Sequence, residues 1–167
     1  GDKPDVIVLA SGNLGLVYFP DHEERLDRAG IESHFPGLIT TLATHSGVGF
    51  ICVHTPDGPI AIGADGTHHL TTGEVEGTDP LEFFGKNAPQ HLARAAGFTD
   101  APDIYVVSMY DEESGEVAAF EELVGSHGGL GGTQNKPFAF VPDEWSQAPD
   151  EIVGAGHASA TGRFDDE

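Results

Sequence analysis

The chain has 167 residues and a formal net charge of −21, with 28 acidic residues against 7 basic ones. This length fits one domain, or one domain with a subdomain, and it is long enough to bury a core. The charge argues against nucleic-acid backbones and anionic membranes as partners, because both would repel the chain. No apolar run approaches the roughly 20 residues of a membrane span, so we expect no direct membrane insertion.

The acidic residues are spread along the whole chain and do not form one tail. Two interpretations remain open. The chain is either an ordinary acidic protein or the protein of a halophile, whose carboxylate surface is tolerable because molar salt screens charges beyond about 3 Å. The small number of lysines, Lys3, Lys86 and Lys136, favours the halophile. We therefore expect a high-salt environment. The localisation stays open, because the cytoplasm and the exterior of such a cell both select acidic surfaces.

The hydrophobic pattern predicts strands that alternate with helices, as in an α/β protein. The apolar run over residues 5–10 is typical of a strand buried on both faces, and Ser11, Gly12 and Asn13 after it are typical of a turn. The further predicted strands cover residues 14–19, 48–53, 59–63, 67–70, 74–76, 104–109 and 137–141, with a polar hairpin turn at residues 111–115. The predicted helices cover residues 23–44, with a break at Pro36, and residues 88–96, with Pro89 in the first turn.

These elements predict three parts. Residues 1–78 form a βαββ-type subdomain, and residues 79–141 form a partial α/β core that contains a glycine-rich loop. We expect residues 142–167 to be a C-terminal tail that is partly disordered. The middle part looks incomplete on its own, because it holds one helix, two or three strands and many glycines.

The glycine-rich loop, Gly-Ser-His-Gly-Gly-Leu-Gly-Gly over residues 125–132, is the most informative feature of the sequence. Glycine lets the backbone take positive φ and approach a ligand closely, and imidazole is the commonest metal ligand at neutral pH. His127 is therefore a candidate metal ligand. Small neighbouring residues would support its loop: Gly125, Ser126, Gly128 and Gly129. The alternative is a surface histidine that donates to a neighbouring carbonyl.

The rest of the sequence does not complete a site. A lone histidine cannot hold a metal, since zinc normally has four ligands. His68 and His69 are adjacent, so they would point to opposite faces of a strand. Ser11 lacks the glycine pattern of a nucleophile elbow, and Cys52 lies in an apolar run where a buried side chain is expected. No Lys-Ser/Thr follows the glycines, which excludes a P-loop. No catalytic residue is assigned.

Three stretches carry a family resemblance: residues 4–18, residues 101–107 and residues 115–132, the last of which contains the Gly-x-His-Gly element. In this order they resemble the C-terminal part of the alkaline-phosphatase superfamily, in its type I phosphodiesterase/nucleotide pyrophosphatase branch. A bacterial and archaeal subgroup of predicted phosphodiesterases is similar over nearly all of the chain. Together with the acidic composition, the resemblance implies a halophilic, archaeal protein.

The resemblance implies a metal-dependent phosphoester hydrolase. In that family Asp and His residues hold two divalent metal ions, usually zinc, and a Thr or Ser attacks phosphorus while the ions clamp the attacking and leaving oxygens. His127 would match the last ligand of one metal. Residues 1–78 would match a cap-like insertion over the substrate, and residues 79–141 would be part of an alkaline-phosphatase-like core with a mixed sheet.

The departures from the family pattern are large. The nucleophile segment, the Asp-x-x-x-His pair and the Ser-Asp-His-Gly element lie upstream of the matching region and have no counterpart in this chain. The chain would then be inactive alone and would bind metal only with an upstream catalytic segment or a partner chain. A second hypothesis is a non-catalytic, self-assembling or surface module of a halophile, because exposed sheet edges invite pairing into homo-oligomers. A soluble binding domain for an unnamed ligand is the third.

Overall fold

A computed structural model describes residues 4–121 and 128–132. These residues form a seven-stranded sheet with helices on both faces, and a small two-stranded hairpin. The strands are β1 (Ile7–Ser11), β2 (Leu14–Tyr18), β3 (Val48–Thr55), β4 (Gly58–Ile62), β5 (Gly66–His69), β6 (Val75–Gly77), β7 (Ile104–Ser108), β8 (Tyr110–Asp111) and β9 (Glu116–Val117). The helices are α1 (Arg28–His34), α2 (Leu38–Ala43) and α3 (Ala88–Ala96).

The sheet has the strand order β1-β2-β7-β3-β4-β5-β6. Every pairing between the described strands is antiparallel. The prediction that the chain combines helices with strands is confirmed.

The predicted boundary near residue 78 follows β6, and the sheet also contains β7 from beyond that boundary. The division into three parts stays a prediction, and the tail over residues 142–167 lies outside the described residues.

Helices α1 and α2 cover one face of the sheet. Their buried residues, Ile31, Ile39 and Ala43, pack against inward-facing side chains of the central strands. The predicted break at Pro36 is confirmed. Proline has no N–H to donate within a helix and disfavours helical backbone in the residue before it, so α1 ends before Phe35, whose φ is −130°.

Helix α3 covers the other face. Pro89 lies in its first turn, and its buried residues Ala88, Leu92 and Ala96 pack in a cluster with side chains of the sheet. Tyr105 of β7 donates a hydrogen bond of 2.8 Å from its hydroxyl to the carbonyl of Ala95. The helix is therefore attached to the sheet by one polar contact as well as by apolar packing. No described helix is long and apolar enough to cross a membrane.

A buried carboxylate holds the segment between β2 and α1. Asp103, just before β7, accepts hydrogen bonds from the backbone N–H of Phe19 at 2.8 Å and of Leu26 at 2.5 Å. Because a buried carboxylate is costly without donors, these two contacts fix the irregular segment to the central strand. The helix predicted to begin at residue 23 begins at Arg28, because the side chain of Asp27 caps it by accepting the N–H of Gly30 at 2.8 Å.

Strand β1 differs from its prediction. Its apolar sequence predicts burial on both faces, yet β1 is an edge strand, and Val8 and Leu9 are 63% and 53% exposed. Among the described residues no strand pairs with its outer side and no helix packs over it. The predicted strand over residues 137–141 lies outside the described residues.

Candidate functional site

The turn between β1 and β2 lies where β7 ends. Asn13 is fully buried in this turn. Its backbone carbonyl accepts a hydrogen bond of 3.0 Å from the N–H of Ser108, the last residue of β7. Its side-chain Nδ2 donates a hydrogen bond of 2.7 Å to the carbonyl of Leu130 in the glycine-rich loop. Through its backbone carbonyl and its side-chain amide, Asn13 therefore links the first hairpin, the central strand and the loop.

The chain that leads toward the loop is fixed to the same turn. The N–H of Phe120 donates to the carbonyl of Gly12 at 2.8 Å, and the N–H of Gly12 donates to Oε1 of Glu121 at the same distance. The hydroxyl of Ser108 donates to the carbonyl of Ala118. These contacts hold residues 118–121 against the end of the sheet.

Two glycines of the loop approach the turn more closely than any other residue would allow. Gly128 has φ +102°, and a Cβ there would lie 2.9 Å from the carbonyl oxygen of Ser11. A Cβ at Gly129 would overlap Oδ1 of Asn13. The close backbone approach expected of these glycines is therefore made to the turn between β1 and β2. That they also support a metal-binding loop stays a prediction.

The predicted metal ligand, His127, lies outside the described residues, as do Gly125 and Ser126. The described part of the loop begins at Gly128, the residue that follows His127 in the sequence, and Gly128 lies against Ser11. Metal binding by His127 stays a prediction.

The far end of the loop borders a cleft of about 220 Å³. A Cβ at Gly131, which has φ +95°, would lie 3.2 Å from the ring of Phe84 and 3.3 Å from Cβ of Tyr110. Both of these aromatic residues line the cleft, together with Asp65 and Asp79. The loop therefore runs from the buried Asn13 to a cleft lined by two acidic residues.

The adjacent histidines His68 and His69 each pair with one carboxylate and do not share a metal site. Nδ1 of His68 lies 3.0 Å from Oδ1 of Asp79, and the same oxygen accepts the N–H of Leu81 at 2.9 Å. His69 pairs with Glu76 at 3.1 Å. His68 is buried whereas His69 is partly exposed, which fits the predicted opposite orientations. Within residues 4–121 and 128–132, no group of three or more His, Cys, Asp or Glu side chains is placed to hold a metal ion.

Two buried groups of the sheet are kept neutral. Burial raises the pKa of the Cys52 thiol to about 12, against the smaller opposing effect of Arg25. Burial likewise raises the pKa of Tyr105 to about 12, with a further contribution from Cys52. Because only a thiolate is strongly nucleophilic, Cys52 is part of the core, as its sequence context predicts.

No family model, no curated protein and no solved structure matches this chain.

Proposed function

We propose that this chain is the C-terminal segment of a metal-dependent phosphodiesterase- or phosphatase-like hydrolase. His127 ligates one divalent metal ion, which the family resemblance suggests is zinc. The nucleophile and the remaining ligands come from an upstream catalytic segment or a partner chain, so this chain alone is inactive. The cap-like role of residues 1–78 and the alkaline-phosphatase-like core of residues 79–141 belong to the same proposal.

The observation that carries this proposal is the attachment of the glycine-rich loop to a buried amide. Asn13 is fully buried and donates to Leu130, while Gly128 and Gly129 press against the same turn. These contacts fix the position of the loop, and a metal site tolerates only small errors in the position of its ligands.

Charge also supports a metal-dependent mechanism. A phosphoester is anionic, and a chain of net charge −21 would repel it. The cleft beside the loop adds Asp65 and Asp79 to this repulsion. Divalent cations at the site would reverse the local field and stabilise the charge that develops on the phosphoryl oxygens. Phosphoester chemistry on this surface therefore calls for bound metal.

The test is His127→Ala in the complete enzyme, with the catalytic segment present. Loss of a metal ligand should lower bound zinc, and it should reduce turnover of bis-p-nitrophenyl phosphate by about 100-fold or more. His45→Ala is the matched control, because His45 is exposed and its Nδ1 accepts only a local bond from the N–H of Gly47. Unchanged metal content and turnover in His127→Ala would show that the assignment is wrong.

The second candidate function is a non-catalytic, self-assembling module. The exposed apolar edge strand β1 favours it, since unprotected edges pair with other strands. Sedimentation of the chain in molar salt tests this candidate. A concentration-dependent shift to dimers or polymers would support it, and a strict monomer would exclude it.

A further inference from the structure

The cleft beside the glycine-rich loop has an aromatic and apolar lining. Phe84 is buried in its wall, and the centre of its ring lies 6.3 Å from that of Tyr110. Phe83 and Met109 also line the cleft, and they are 49% and 40% exposed. Concave surfaces lined by aromatic and methionine side chains are typical of ligand sites, because a ligand covers apolar area that is otherwise in contact with water.

Two walls of the cleft are packed directly against glycine backbone. A Cβ at Gly49 in β3 would lie 2.5 Å from Cζ of Phe84, and a Cβ at Gly63, just after β4, would lie 2.8 Å from Cβ of Pro80. All four of these residues line the cleft. The absence of a side chain at each glycine therefore lets Phe84 and Pro80 rest on the sheet, which gives the cleft a preformed shape.

The charged residues that line the cleft, Asp65 and Asp79, are both acidic. Asp79 is oriented through one oxygen, because Oδ1 lies 3.0 Å from Nδ1 of His68 and accepts the N–H of Leu81 at 2.9 Å. Its side chain is still 32% exposed. No lysine or arginine of the described chain lines the cleft. The cleft therefore combines an apolar wall with uncompensated negative charge.

This combination matches an organic cation better than other small ligands. An anion would be repelled by the two aspartates, and a neutral molecule would gain nothing from them. A metal ion takes several oxygen or nitrogen ligands, and no described group of three or more His, Cys, Asp or Glu side chains is placed to hold one. An ammonium group on an apolar body is attracted both by carboxylates and by the negative faces of aromatic rings.

We propose that the cleft binds a small organic cation. Its charged group lies beside Asp65 and Asp79, and its apolar part packs against Phe83, Phe84 and Met109. The volume of about 220 Å³ limits the ligand to a molecule smaller than those in typical sites of roughly 300–1,000 Å³. Binding here requires neither a metal ion nor the hydrolase activity proposed above.

The experiment uses choline as the probe and Met109 as the reporter. Met109 is the one methionine of the sequence, so a labelled methionine methyl group gives a single NMR signal at the cleft. Choline chloride replaces potassium chloride at constant ionic strength, at the lowest salt concentration that keeps the chain folded. The signal should shift and saturate. The uncharged isostere 3,3-dimethylbutanol has the same shape and should bind about 10-fold more weakly.

Two pairs of variants locate the binding. Asp65→Asn and Phe83→Leu should each weaken choline binding about 2- to 5-fold, because they remove one charge and one aromatic face. Asp57→Asn and Phe98→Leu are the matched controls, since both residues are exposed and neither lines the cleft. The controls should leave choline binding unchanged. Circular dichroism of all four variants checks that they are folded.

Four results would each overturn the proposal. The Met109 signal does not respond to choline, or the uncharged isostere binds as tightly as choline does. The cleft variants and their controls have equal effects on binding. Calcium chloride produces the same saturating shift as choline, which would make the cleft a metal site.

Discussion

The side-chain amide of Asn13 donates a 2.7 Å hydrogen bond to the carbonyl of Leu130, which lies 117 positions further along the chain. This contact joins the first hairpin to the glycine-rich loop. Asn13 also accepts the N–H of Ser108 on its backbone carbonyl. The position of the loop therefore depends on the folding of the sheet. A substitution in the turn should weaken the attachment of the loop.

Asn13→Ala should lower the free energy of unfolding by about 1–3 kcal/mol, because it removes a buried hydrogen bond. Amide exchange at residues 128–132 should become faster at the same time. Denaturant unfolding in molar salt and hydrogen exchange measure the two effects. Asn87→Ala is the control, since Asn87 makes no side-chain capping bond at α3 and its loss should cost less than about 0.5 kcal/mol. Equal effects of the two substitutions would contradict a structural role for the Asn13 amide.

Gly129→Ala should also destabilise the chain, because a Cβ would overlap Oδ1 of Asn13. We expect a cost of about 1–3 kcal/mol, typical of overpacking. Gly97→Ala is the matched control, because a Cβ there meets only ordinary contacts and φ is −81°. That substitution should be neutral or stabilising by up to about 1 kcal/mol. A Gly129→Ala variant as stable as wild type would mean that the loop does not rest on Asn13.

Alkaline pH should destabilise the chain through Cys52 and Tyr105. Burial raises the pKa of each to about 12, from 9.0 and 10.0 respectively. The folded state holds these protons more tightly, so their contribution is complete below pH 9 and is lost as the pH rises toward 12. Denaturant titrations across this range should show the decline, and Cys52→Ala should lessen it. In the folded chain the thiol should resist alkylation at pH 8, whereas rapid labelling there would contradict its burial.

Dialysis into low salt should unfold the chain. The net charge of −21 repels itself once screening is removed. Circular dichroism should show loss of structure in dilute buffer and recovery in molar potassium chloride. Replacing the exposed Glu112 and Glu113 with glutamine should lower the salt concentration needed for folding. A spectrum unchanged between molar salt and dilute buffer would indicate an ordinary acidic protein.

Local signals in the sequence were sufficient for most of the elements. The helix predicted over residues 88–96 coincides with α3, because Pro89 and Gly97 mark its ends. The start of the first helix was predicted too early, because the capping residue Asp27 was not recognised as its start signal. The strand order, in contrast, depends on long-range pairing. Nothing near β2 or β3 indicates that β7 lies between them.

The candidate site was predictable only in part. The glycines of residues 125–132 indicated a close backbone approach, and Gly128 and Gly129 make one. Their contact, Asn13, was predicted only as a turn residue, because asparagine is common in turns for local reasons. The exposure of β1 was also missed, because its apolar sequence predicts a strand that is buried on both faces.

The insertion of β7 between β2 and β3 has a consequence for synthesis on the ribosome. β2 and β3 leave the ribosome well before residues 104–108. In the folded sheet, however, β7 is the partner of one edge of β2 and of one edge of β3. Until that strand arrives, the nascent chain carries two unpaired edges that later become the middle of the sheet. Unpaired strand edges make a folding intermediate prone to aggregation, so the nascent chain carries this risk until β7 has been synthesised.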